Sequence, residues 1–393
     1  MRIAVVSLNR GRGSGVVARE QMRALSRRGH RVCSVHAGGA QLVPGVTHLP
    51  VAPSSGVLPV HEYLPNPDLP QSPVAWMTEA ESCAIVDDFE RAIEQLGAID
   101  LIVAHHANVS TAAVARVARQ RRIPYVVFVH GTGIEPRFDG GYPGPIWRQI
   151  VDALTDASGI LVTTAYVRDA LVRRLVDLPV DRFTVIPCGV DLQTYHPTAG
   201  RPLREKYDLP DRFVISPGAL IAQKGPQNVA TAAAAYADLA PTVFIGDGAR
   251  RHEIERTLGD RGRVLGFVDD ADKAGLINEA TILAAAPEKR EHFGIIYVEA
   301  LASGTVPVAY HGGGVDSIIT PDVGVLTARE PAALGQAVRL RLEEREATHQ
   351  MATRARDRAA HHYDTDLVSH RFVTWVEEMG RLSTHRFAQA TEG

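Results

Sequence analysis

The sequence has few cysteines and no long apolar run, and both absences limit what the protein can be. Its three cysteines, Cys33, Cys83 and Cys188, form neither a C-x-x-C pair nor an even set for disulfide bonds, which favours a reducing compartment. No stretch reaches the ~18 apolar residues of a transmembrane helix, and the N-terminal apolar run is too short for a secretory signal. We therefore expect a cytoplasmic protein without a transmembrane segment.

An excess of charge of one sign is also lacking. The 42 Lys and Arg residues are balanced by 45 Asp and Glu residues, for a formal net charge of −3. This balance excludes a protein-wide field that would recruit nucleic acid. A predicted helix with Arg168, Arg173 and Arg174 leaves peripheral contact with an anionic membrane open, although a solvated helix face is the simpler interpretation.

What is present is a globular composition in a chain of 393 residues, a length typical of two domains. Short β-branched runs alternate with helical patterns, which indicates parallel strands joined by crossover helices. We predict an α/β fold with two doubly wound parallel-sheet (Rossmann-like) domains facing a cleft. The predicted strands are Arg2 to Leu8, Arg31 to His36, Leu101 to His105, Tyr125 to His130, Ile160 to Thr164, Phe183 to Pro187, Phe213 to Ser216, Thr242 to Gly246, Val264 to Val268, Thr281 to Ala285 and Val306 to Tyr310.

A turn-rich run at residues 188–201 predicts the junction between domains, which gives a first domain of residues 1–195 and a second of 196–365. Residues 366–393 are predicted as a helix that crosses back to the first domain on an apolar stripe. The stripe consists of Val368, Phe372, Trp375, Met379 and Leu382. Eight prolines between Pro44 and Pro73, without periodicity, predict a loop excursion and leave a role as an acceptor cover open.

The most informative segment runs from Ala286 to Gly314. It predicts a strand, a loop with Glu291, and a helix that begins at Gly294, includes Glu299 and stops at Gly304. Free backbone N–H groups at a helix start bind phosphate, and a carboxylate beside such a site needs neutral hydroxyl donors such as those of a sugar. Glu299 lies about a turn and a half into the same helix, on a face that can reach a second diol such as ribose.

The two glutamates, with A-x-A-x-G-x-x-P-V and a glycine cluster after them, closely resemble the signature of family-4 retaining glycosyltransferases with the GT-B fold. The resemblance extends to the N-terminal strand and its Gly-rich turn, residues 28–32, His130, residues 186–191, Gly218 to Gly225, and Gly246-Asp247-Gly248. It implies that the first glutamate holds hydroxyls of the donor sugar and the second holds the nucleotide ribose. It also places Lys224, which is one of only four lysines, on the donor diphosphate, and His130 against the donor sugar.

The resemblance implies a nucleotide-sugar donor, with a UDP-sugar favoured, and no cofactor besides this substrate. The predicted catalytic residues are His130, Lys224 and Glu291, and the predicted donor-binding residues are Gly13, Gly15, Gly218, Lys224, Gly246, Gly248, Arg250, Glu291, Phe293, Gly294, Ile295 and Glu299. One position departs from the family, because Ala219 stands where an arginine is usual. The candidates to replace that cation are Arg10, Arg12, Arg250 and Arg251.

Two D-x-D sequences, Asp270-Ala271-Asp272 and Asp364-Thr365-Asp366, match the metal-binding motif of other glycosyltransferases. Both precede helical patterns, where aspartate is favoured as a cap, and the sequence has no His/Cys ligand cluster. We therefore predict no catalytic metal.

The first domain is predicted to bind the acceptor. Candidate residues are Arg12, His61, Tyr63, His105 and His106. The turn at residues 11–15 is not G-x-G-x-x-G, so it either lets backbone approach the donor phosphates or the acceptor, or is only a tight turn. We expect transfer to a small polar natural product such as an aminocyclitol precursor. Alternatives are a glycolipid or cell-envelope acceptor with a GDP- or UDP-sugar, a sugar-nucleotide-binding pseudoenzyme, and a phosphorylase or epimerase.

Overall fold

A computed structural model describes residues 1–9, 13–38, 42–63, 69–197 and 202–389. The chain divides into two compact units, one of Met1–Pro187 with Val368–Gly393 and the other of Cys188–Leu367. The first stretch of chain in unit one ends at Pro187, eight residues before the predicted domain boundary at residue 195. Within the described residues, no helix is both long enough and apolar enough to cross a membrane.

The first unit is built on a seven-stranded parallel sheet with the strand order β3-β2-β1-β6-β7-β8-β9. Strands β4 and β5 form a separate parallel pair. The strands are β1 (Arg2–Asn9), β2 (Arg31–Ala37), β3 (Val46–Val51), β4 (Leu58–Val60), β5 (Gln71–Pro73), β6 (Leu101–His105), β7 (Tyr125–Val129), β8 (Gly159–Val162) and β9 (Phe183–Val185).

Helices cover both faces of this sheet. The first helix buries Ala18, Met22 and Leu25 on one face, as their spacing predicts. The second begins at a capping box, in which Thr78 and Glu81 satisfy each other's backbone N–H groups. The helices are α1 (Gly13–Arg27), α2 (Glu79–Glu94), α3 (Val109–Arg121), α4 (Gly144–Asp156) and the short α5 (Arg173–Leu175), which continues a π-helical segment at Val167–Val172.

The Pro-rich segment from Pro44 to Pro73 is not the structureless excursion that its prolines predict. It contributes β3 to the edge of the main sheet and forms the β4 and β5 pair. Proline is tolerated in an edge strand, because the outward backbone positions there have no ladder partner. Pro50 lies within β3, so the proline content hid a strand that the sheet accommodates.

The C-terminal helix α13 (Thr365–Gln389) contributes to the core of the first unit. Its residues Val368, Phe372 and Trp375 are buried in a cluster with strand residues of the first unit, and Met379 packs against that cluster. Leu382, which the stripe also included, is 51% exposed. The apolar face therefore ends about one turn earlier than the sequence pattern predicts.

The second unit is built on a six-stranded parallel sheet with the order β12-β11-β10-β13-β14-β15. Its strands are β10 (Val214–Pro217), β11 (Thr242–Ile245), β12 (Gly262–Val264), β13 (Ile282–Ala285), β14 (Val306–Tyr310) and β15 (Val325–Thr327). Its helices are α6 (Pro202–Lys206), α7 (Pro226–Ala232), α8 (Arg251–Leu258), α9 (Asp270–Glu279), α10 (Ile295–Ser303), α11 (Pro331–Glu343) and α12 (Arg345–His362).

One strand of the second unit lies earlier in the sequence than predicted. The β-branched pattern predicts a strand at Val264 to Val268, whereas the structure pairs Gly262–Val264 with β11. Gly262 lies so close to β11 that an added Cβ would stand 1.9 Å from the Thr242 carbonyl oxygen. The pairing therefore begins at a glycine, which no β-branched pattern marks.

Both sheets are doubly wound, and in each the strand order reverses at one point. In the second unit that point lies between β10 and β13, which are hydrogen-bonded neighbours. Ligands of open α/β sheets bind beyond the carboxyl ends of the strands at such a reversal. The α/β fold with two Rossmann-like units is confirmed, and a ligand site in the second unit is expected at the ends of β10 and β13.

Candidate functional site

An open cavity lies at the reversal point of the second unit. The end of β10, the end of β13 and the beginning of α10 form its walls. Among its described lining residues, Lys224 is the only cation and Glu291 the only carboxylate. The lining residues are Ser216, Pro217, Gly218, Ala219, Leu220, Lys224, Pro226, Phe244, Ala285, Pro287, Glu291, Ile296 and Tyr297.

Helix α10 has the boundaries that the sequence predicts. Gly294 caps its start with φ of 88°, in the left-handed region that favours glycine, and Gly304 caps its end. A larger side chain at Gly294 would also collide with the ring of Tyr297, which lies 2.5 Å from an added Cβ. The start of α10 lies beside the cavity, since Ile296 and Tyr297 line it. The first turn of a helix has N–H groups without intrahelical partners, so an anion is favoured there.

Two residues predicted separately, Lys224 and Glu291, are brought together. The Lys224 Nζ donates a hydrogen bond to Glu291 Oε1 at 2.7 Å. The lysine side chain is 49% exposed and the glutamate side chain 20% exposed. The pair therefore offers solvent-accessible donors and acceptors of opposite charge at one wall of the cavity.

Backbone contacts hold the Glu291 loop in place. The Gly314 N–H donates to the Glu291 carbonyl at 2.7 Å, and Glu291 forms a parallel bridge with Gly313. The Arg329 guanidinium donates to the carbonyls of Pro287 and Glu288 at 2.6 and 2.7 Å. The glycine cluster thus supports the motif glutamate, and Arg329 is a supporting residue that the sequence pattern did not reveal.

Three other predicted donor-binding glycines have different positions. Gly218 lines the cavity. Gly246 and Gly248 do not, because they pack against the loop that follows β10. Added Cβ atoms there would stand 2.0 Å from the Gly218 carbonyl oxygen and 2.5 Å from that of Leu220. Their requirement for glycine is explained by close backbone packing that shapes the cavity wall.

Arg250, Phe293 and Ile295 are not among the residues that line this cavity. Arg250 is paired with both carboxylate oxygens of Glu253 at 2.9 Å. Phe293 is 5% exposed and packs edge-to-face against another ring. The next residue after Ile295, Ile296, lines the cavity.

No arginine among the described residues of the cavity wall replaces the one that is usual at position 219. Ala219 itself lines the cavity, which leaves Lys224 as the cation there. Arg251 is engaged by Asp247 at 3.0 Å and by Glu255 at 2.8 Å. The other two candidates, Arg10 and Arg12, lie outside the described residues.

Glu299 lies in a cluster of its own on α10. Its side chain is 7% exposed, and its Oε1 accepts hydrogen bonds from the Tyr195 hydroxyl at 2.8 Å and from Lys273 Nζ at 2.7 Å. Its second oxygen, Oε2, is buried without a described hydrogen-bond partner. Lys273 was not predicted as a site residue, because it follows two aspartates at the start of α9, where charged residues are common and indicate no particular function.

In the first unit, four histidines gather where β6 and β7 end. A hydrogen bond joins His105 Nδ1 and His130 Nε2 at 3.0 Å, and the Asn108 amide donates to His61 Nε2 at 2.9 Å. The His106 ring lies 4.1 Å from that of His61 and 4.6 Å from that of His130, between centroids. Burial lowers the pKa of both His61 and His105 to about 4, so both are neutral at pH 7.

The remaining acceptor candidates are not part of this cluster. Tyr63 is 70% exposed, and Arg12 lies outside the described residues. Gly13 is the first residue of α1, and Gly15 is buried in its first turn.

The arginines considered for membrane contact are engaged locally. Arg168 and Arg173 pair with Asp169, and Arg174 lies over the Phe138 ring. Each of the three arginines therefore contacts a side chain of the first unit.

The D-x-D residues make helix-start contacts. The actual cap of α9 is Asp269, whose side chain accepts from the Asp272 N–H at 2.7 Å, while Asp272 also pairs with Lys206. The Asp364 carboxylate accepts from the Asp366 N–H at 2.8 Å. In the part of the chain that the structure describes, no group of three or more His, Cys, Asp or Glu residues is arranged to hold a metal ion.

The fold and the cavity at the reversal point define a GT-B glycosyltransferase architecture, and comparison with protein families gives the same class. The Glycosyltransferase Family 4 model matches residues 11–194, and the model of Glycosyl transferases group 1 matches residues 202–358. Together these ranges cover most of the sequence. The chain belongs to the family 4, group 1 glycosyltransferases.

Several curated proteins are similar in sequence. A D-inositol 3-phosphate glycosyltransferase of Xylanimonas cellulosilytica is 29% identical over 80% of this chain and 79% of that protein. A GDP-mannose-dependent alpha-(1-6)-phosphatidylinositol dimannoside mannosyltransferase of Mycobacterium tuberculosis is 31% identical over 46% of this chain. The match spans 48% of that enzyme, about half its length.

Solved structures share the fold. Sucrose-phosphate synthase from Thermosynechococcus elongatus superimposes with a TM-score of 0.74 at 19% identity, covering 99% of this chain and 100% of that one. Anabaena HepE in complex with UDP and glucose has a TM-score of 0.74 at 18% identity, covering 96% of this chain and 100% of that one. At these identities the likeness concerns the fold.

Proposed function

We propose that the protein is a retaining glycosyltransferase that moves a sugar from a nucleotide-sugar to a hydroxyl of a small polar acceptor. The observation that carries this proposal is the Lys224–Glu291 pair at the cavity beside the start of α10. An ammonium and free backbone N–H groups suit a diphosphate, and a carboxylate suits the hydroxyls of the attached sugar. The second unit accordingly binds the donor, and the first unit binds the acceptor.

The proposed chemistry needs stabilisation of the departing diphosphate. Charge accumulates on this group in the transition state, and the Lys224 ammonium is placed to interact with it. Because Glu291 is the only carboxylate among the described cavity residues and is paired with Lys224, it suits hydroxyl binding better than nucleophilic attack. We infer a front-face route in which the departing phosphate takes the proton of the acceptor hydroxyl, so that the anomeric configuration is retained.

For the acceptor we propose a small polyhydroxylated molecule of the cyclitol kind. The relatives matched over most of this chain include D-inositol 3-phosphate glycosyltransferases. The histidine cluster at the ends of β6 and β7 has neutral imidazoles in His61 and His105 at pH 7, and neutral imidazoles exchange hydrogen bonds with hydroxyls. His130 would contact the donor sugar from the same cluster. A lipid acceptor, as in the mannosyltransferase relative, is the alternative.

The donor is best tested with a thermal-shift panel of UDP-, GDP-, dTDP- and ADP-sugars, because a ligand that binds the native state raises its unfolding temperature. We expect one nucleotide, with UDP the first choice, to stabilise the protein without added metal. Mass spectrometry with inositol phosphates, aminocyclitols and a phosphatidylinositol lipid then identifies the product. A panel in which no sugar nucleotide stabilises the protein would refute the proposal.

A second candidate, a sugar-nucleotide-binding protein without transfer, is favoured by one observation. Ala219 stands at the cavity wall where the family usually has an arginine, and the described candidates to replace that cation, Arg250 and Arg251, are paired with other carboxylates. Binding without transfer to any acceptor of the panel would identify it. Turnover that requires inorganic phosphate, or sugar interconversion without an acceptor, would instead identify a phosphorylase or an epimerase.

A further inference from the structure

Two segments at the cavity contain the residues that the proposed function assigns to the donor, and this inference rests on that function. The lysine arm, residues 222–228, includes Lys224, and the glutamate arm, residues 286–291, includes Glu291. The two side chains form an ion pair with each other. A donor that takes the ammonium for its diphosphate and the carboxylate for its sugar competes with that pair. A second connection is therefore required to keep the spacing of the arms when a donor is bound.

The side chain of Asn228 makes such a connection. Its amide Nδ2 donates to the Ala286 carbonyl oxygen at 3.2 Å and to Glu288 Oε1 at 2.7 Å. A side-chain amide nitrogen has two N–H donors, so these two contacts use both of them. Both partners are acceptors, which fixes the orientation of the amide group. The amide clamp, formed by Asn228 with Ala286 and Glu288, therefore joins the lysine arm to the backbone and to a side chain of the glutamate arm.

The backbones of the two arms also meet at this place. Gly225, with φ of 60°, lies so near the glutamate arm that an added Cβ would stand 1.9 Å from the Ala286 carbonyl oxygen. The Lys289 N–H donates to the Gln223 carbonyl at 3.2 Å. The two arms therefore pack directly on each other, and the amide clamp belongs to this interface.

The clamp lies close to both members of the ion pair along the chain. Asn228 is four residues after Lys224, and Glu288 is three residues before Glu291. The hydrogen bond to Glu288 has a carboxylate as its acceptor, and such charge-assisted bonds are stronger than those between neutral groups. The separation of the two arms therefore depends on a short and direct contact.

We propose that Asn228 is a positioning residue for the transfer, because its amide fixes the spacing between Lys224 and Glu291 without itself contacting the donor. A nucleotide-sugar uses both residues at once and depends on that spacing. The parent nucleoside diphosphate lacks the sugar that Glu291 would hold, and the lysine side chain, 49% exposed, can follow it. Loss of the clamp should therefore weaken the contribution of the sugar and change the affinity for the parent nucleotide little.

The test is isothermal titration calorimetry with the selected nucleotide-sugar and with its parent nucleoside diphosphate. Asn228→Ala should reduce the ratio of the two affinities about three- to tenfold, the range for a hydrogen bond of ordinary strength, because the ligand must then order the arms itself. Thr231→Ala is the matched control, since Thr231 lies further along α7 and its hydroxyl donates to the Gln227 carbonyl of the same helix at 2.9 Å. It should keep the wild-type ratio.

An exchange of donor and acceptor separates positioning from general destabilisation. Asn228→Asp places a carboxylate against that of Glu288 and should lower the ratio at least as much as alanine does. Glu288→Gln alone keeps an acceptor for the asparagine amide and should have little effect. The double variant Asn228→Asp/Glu288→Gln has the donor on residue 288 and the acceptor on residue 228, so it should recover part of the lost ratio. Asn228 is half-buried and Glu288 is exposed, so these variants should fold, which urea unfolding checks.

Three results would overturn the proposal. One is a wild-type affinity ratio in Asn228→Ala, and another is an equal loss of affinity for the nucleotide-sugar and the nucleoside diphosphate. The third is a double variant that recovers nothing relative to Asn228→Asp. A wild type that gains no affinity from the sugar would instead refute the proposed function. A sugar contribution that is lost in Glu291→Gln and kept in Asn228→Ala would refute this inference alone.

Discussion

Replacing Lys224 with methionine should separate ligand binding from stability. The substitution keeps most of the aliphatic stem and removes the ammonium that contacts Glu291 at 2.7 Å. A hydrogen bond from a charged donor to a diphosphate is worth about 1.5 to 3 kcal/mol, which corresponds to about ten- to a hundredfold in affinity. We therefore expect the dissociation constant for UDP to rise by that factor.

The same substitution should barely change the free energy of unfolding. The two side chains are 49% and 20% exposed, and an ion pair this accessible to water contributes only about 0 to 1 kcal/mol. The expected result is thus a large loss of binding with an almost unchanged urea midpoint.

The assay combines calorimetric titration of UDP with urea unfolding followed by tryptophan fluorescence. Lys206→Met is a close control, since Lys206 and Asp272 form a pair whose side chains are 55% and 15% exposed. It should change neither binding nor the urea midpoint by much. Wild-type affinity in Lys224→Met, or a loss of binding that only follows a loss of stability, would refute the assignment of Lys224 to the diphosphate.

Three further predictions concern stability. Gly246→Ala places a Cβ 2.0 Å from a backbone carbonyl oxygen and should lower the free energy of unfolding in urea by about 2 kcal/mol or more. The control Gly97→Ala, with open space around the added Cβ, should change it little, and equal urea midpoints for the two variants would contradict the packing argument. Trp375→Ala, at 7% exposure, should cost about 3 to 5 kcal/mol, and an unchanged melting temperature would show that α13 does not support the core. Because the pKa of His105 is lowered to about 4 while the unfolded imidazole titrates near 6.5, the free energy of unfolding should fall as the pH drops from about 6.5 to 4. His105→Gln should reduce this pH dependence by up to about 1.4 kcal/mol per pH unit, and an unchanged pH dependence would contradict the burial argument.

Much of the fold could be predicted because buried parallel strands read as short β-branched runs. Leu101–His105 and Val306–Tyr310 have the predicted ends, since each sits inside a sheet and is buried along its whole length. The strand Val46–Val51 could not be predicted, because it lies at an edge, is only partly buried and contains a proline. The residues of this strand are partly polar because an edge strand contacts solvent, and their composition does not indicate that the strand pairs with β2.

The site could be predicted where it depends on the local chain. Gly294 and Glu291 belong to one strand-loop-helix segment, so their spacing alone positions them. The partners of Glu299 could not be found in this way, because Tyr195 and Lys273 are 104 and 26 residues away in sequence. Contacts of that kind arise when segments that are distant in sequence pack together, and a local residue pattern does not encode them.

In the proposed function, the second unit binds an activated sugar through both its diphosphate and its sugar hydroxyls. The most direct measurement compares the affinity of the selected nucleotide-sugar with that of its parent nucleoside diphosphate, in the wild type and in Glu291→Gln. We expect the sugar to add affinity in the wild type and to add little or none in the variant, while the parent nucleotide binds both proteins alike. A sugar contribution that is the same in both proteins would contradict the assignment of Glu291 to the sugar hydroxyls.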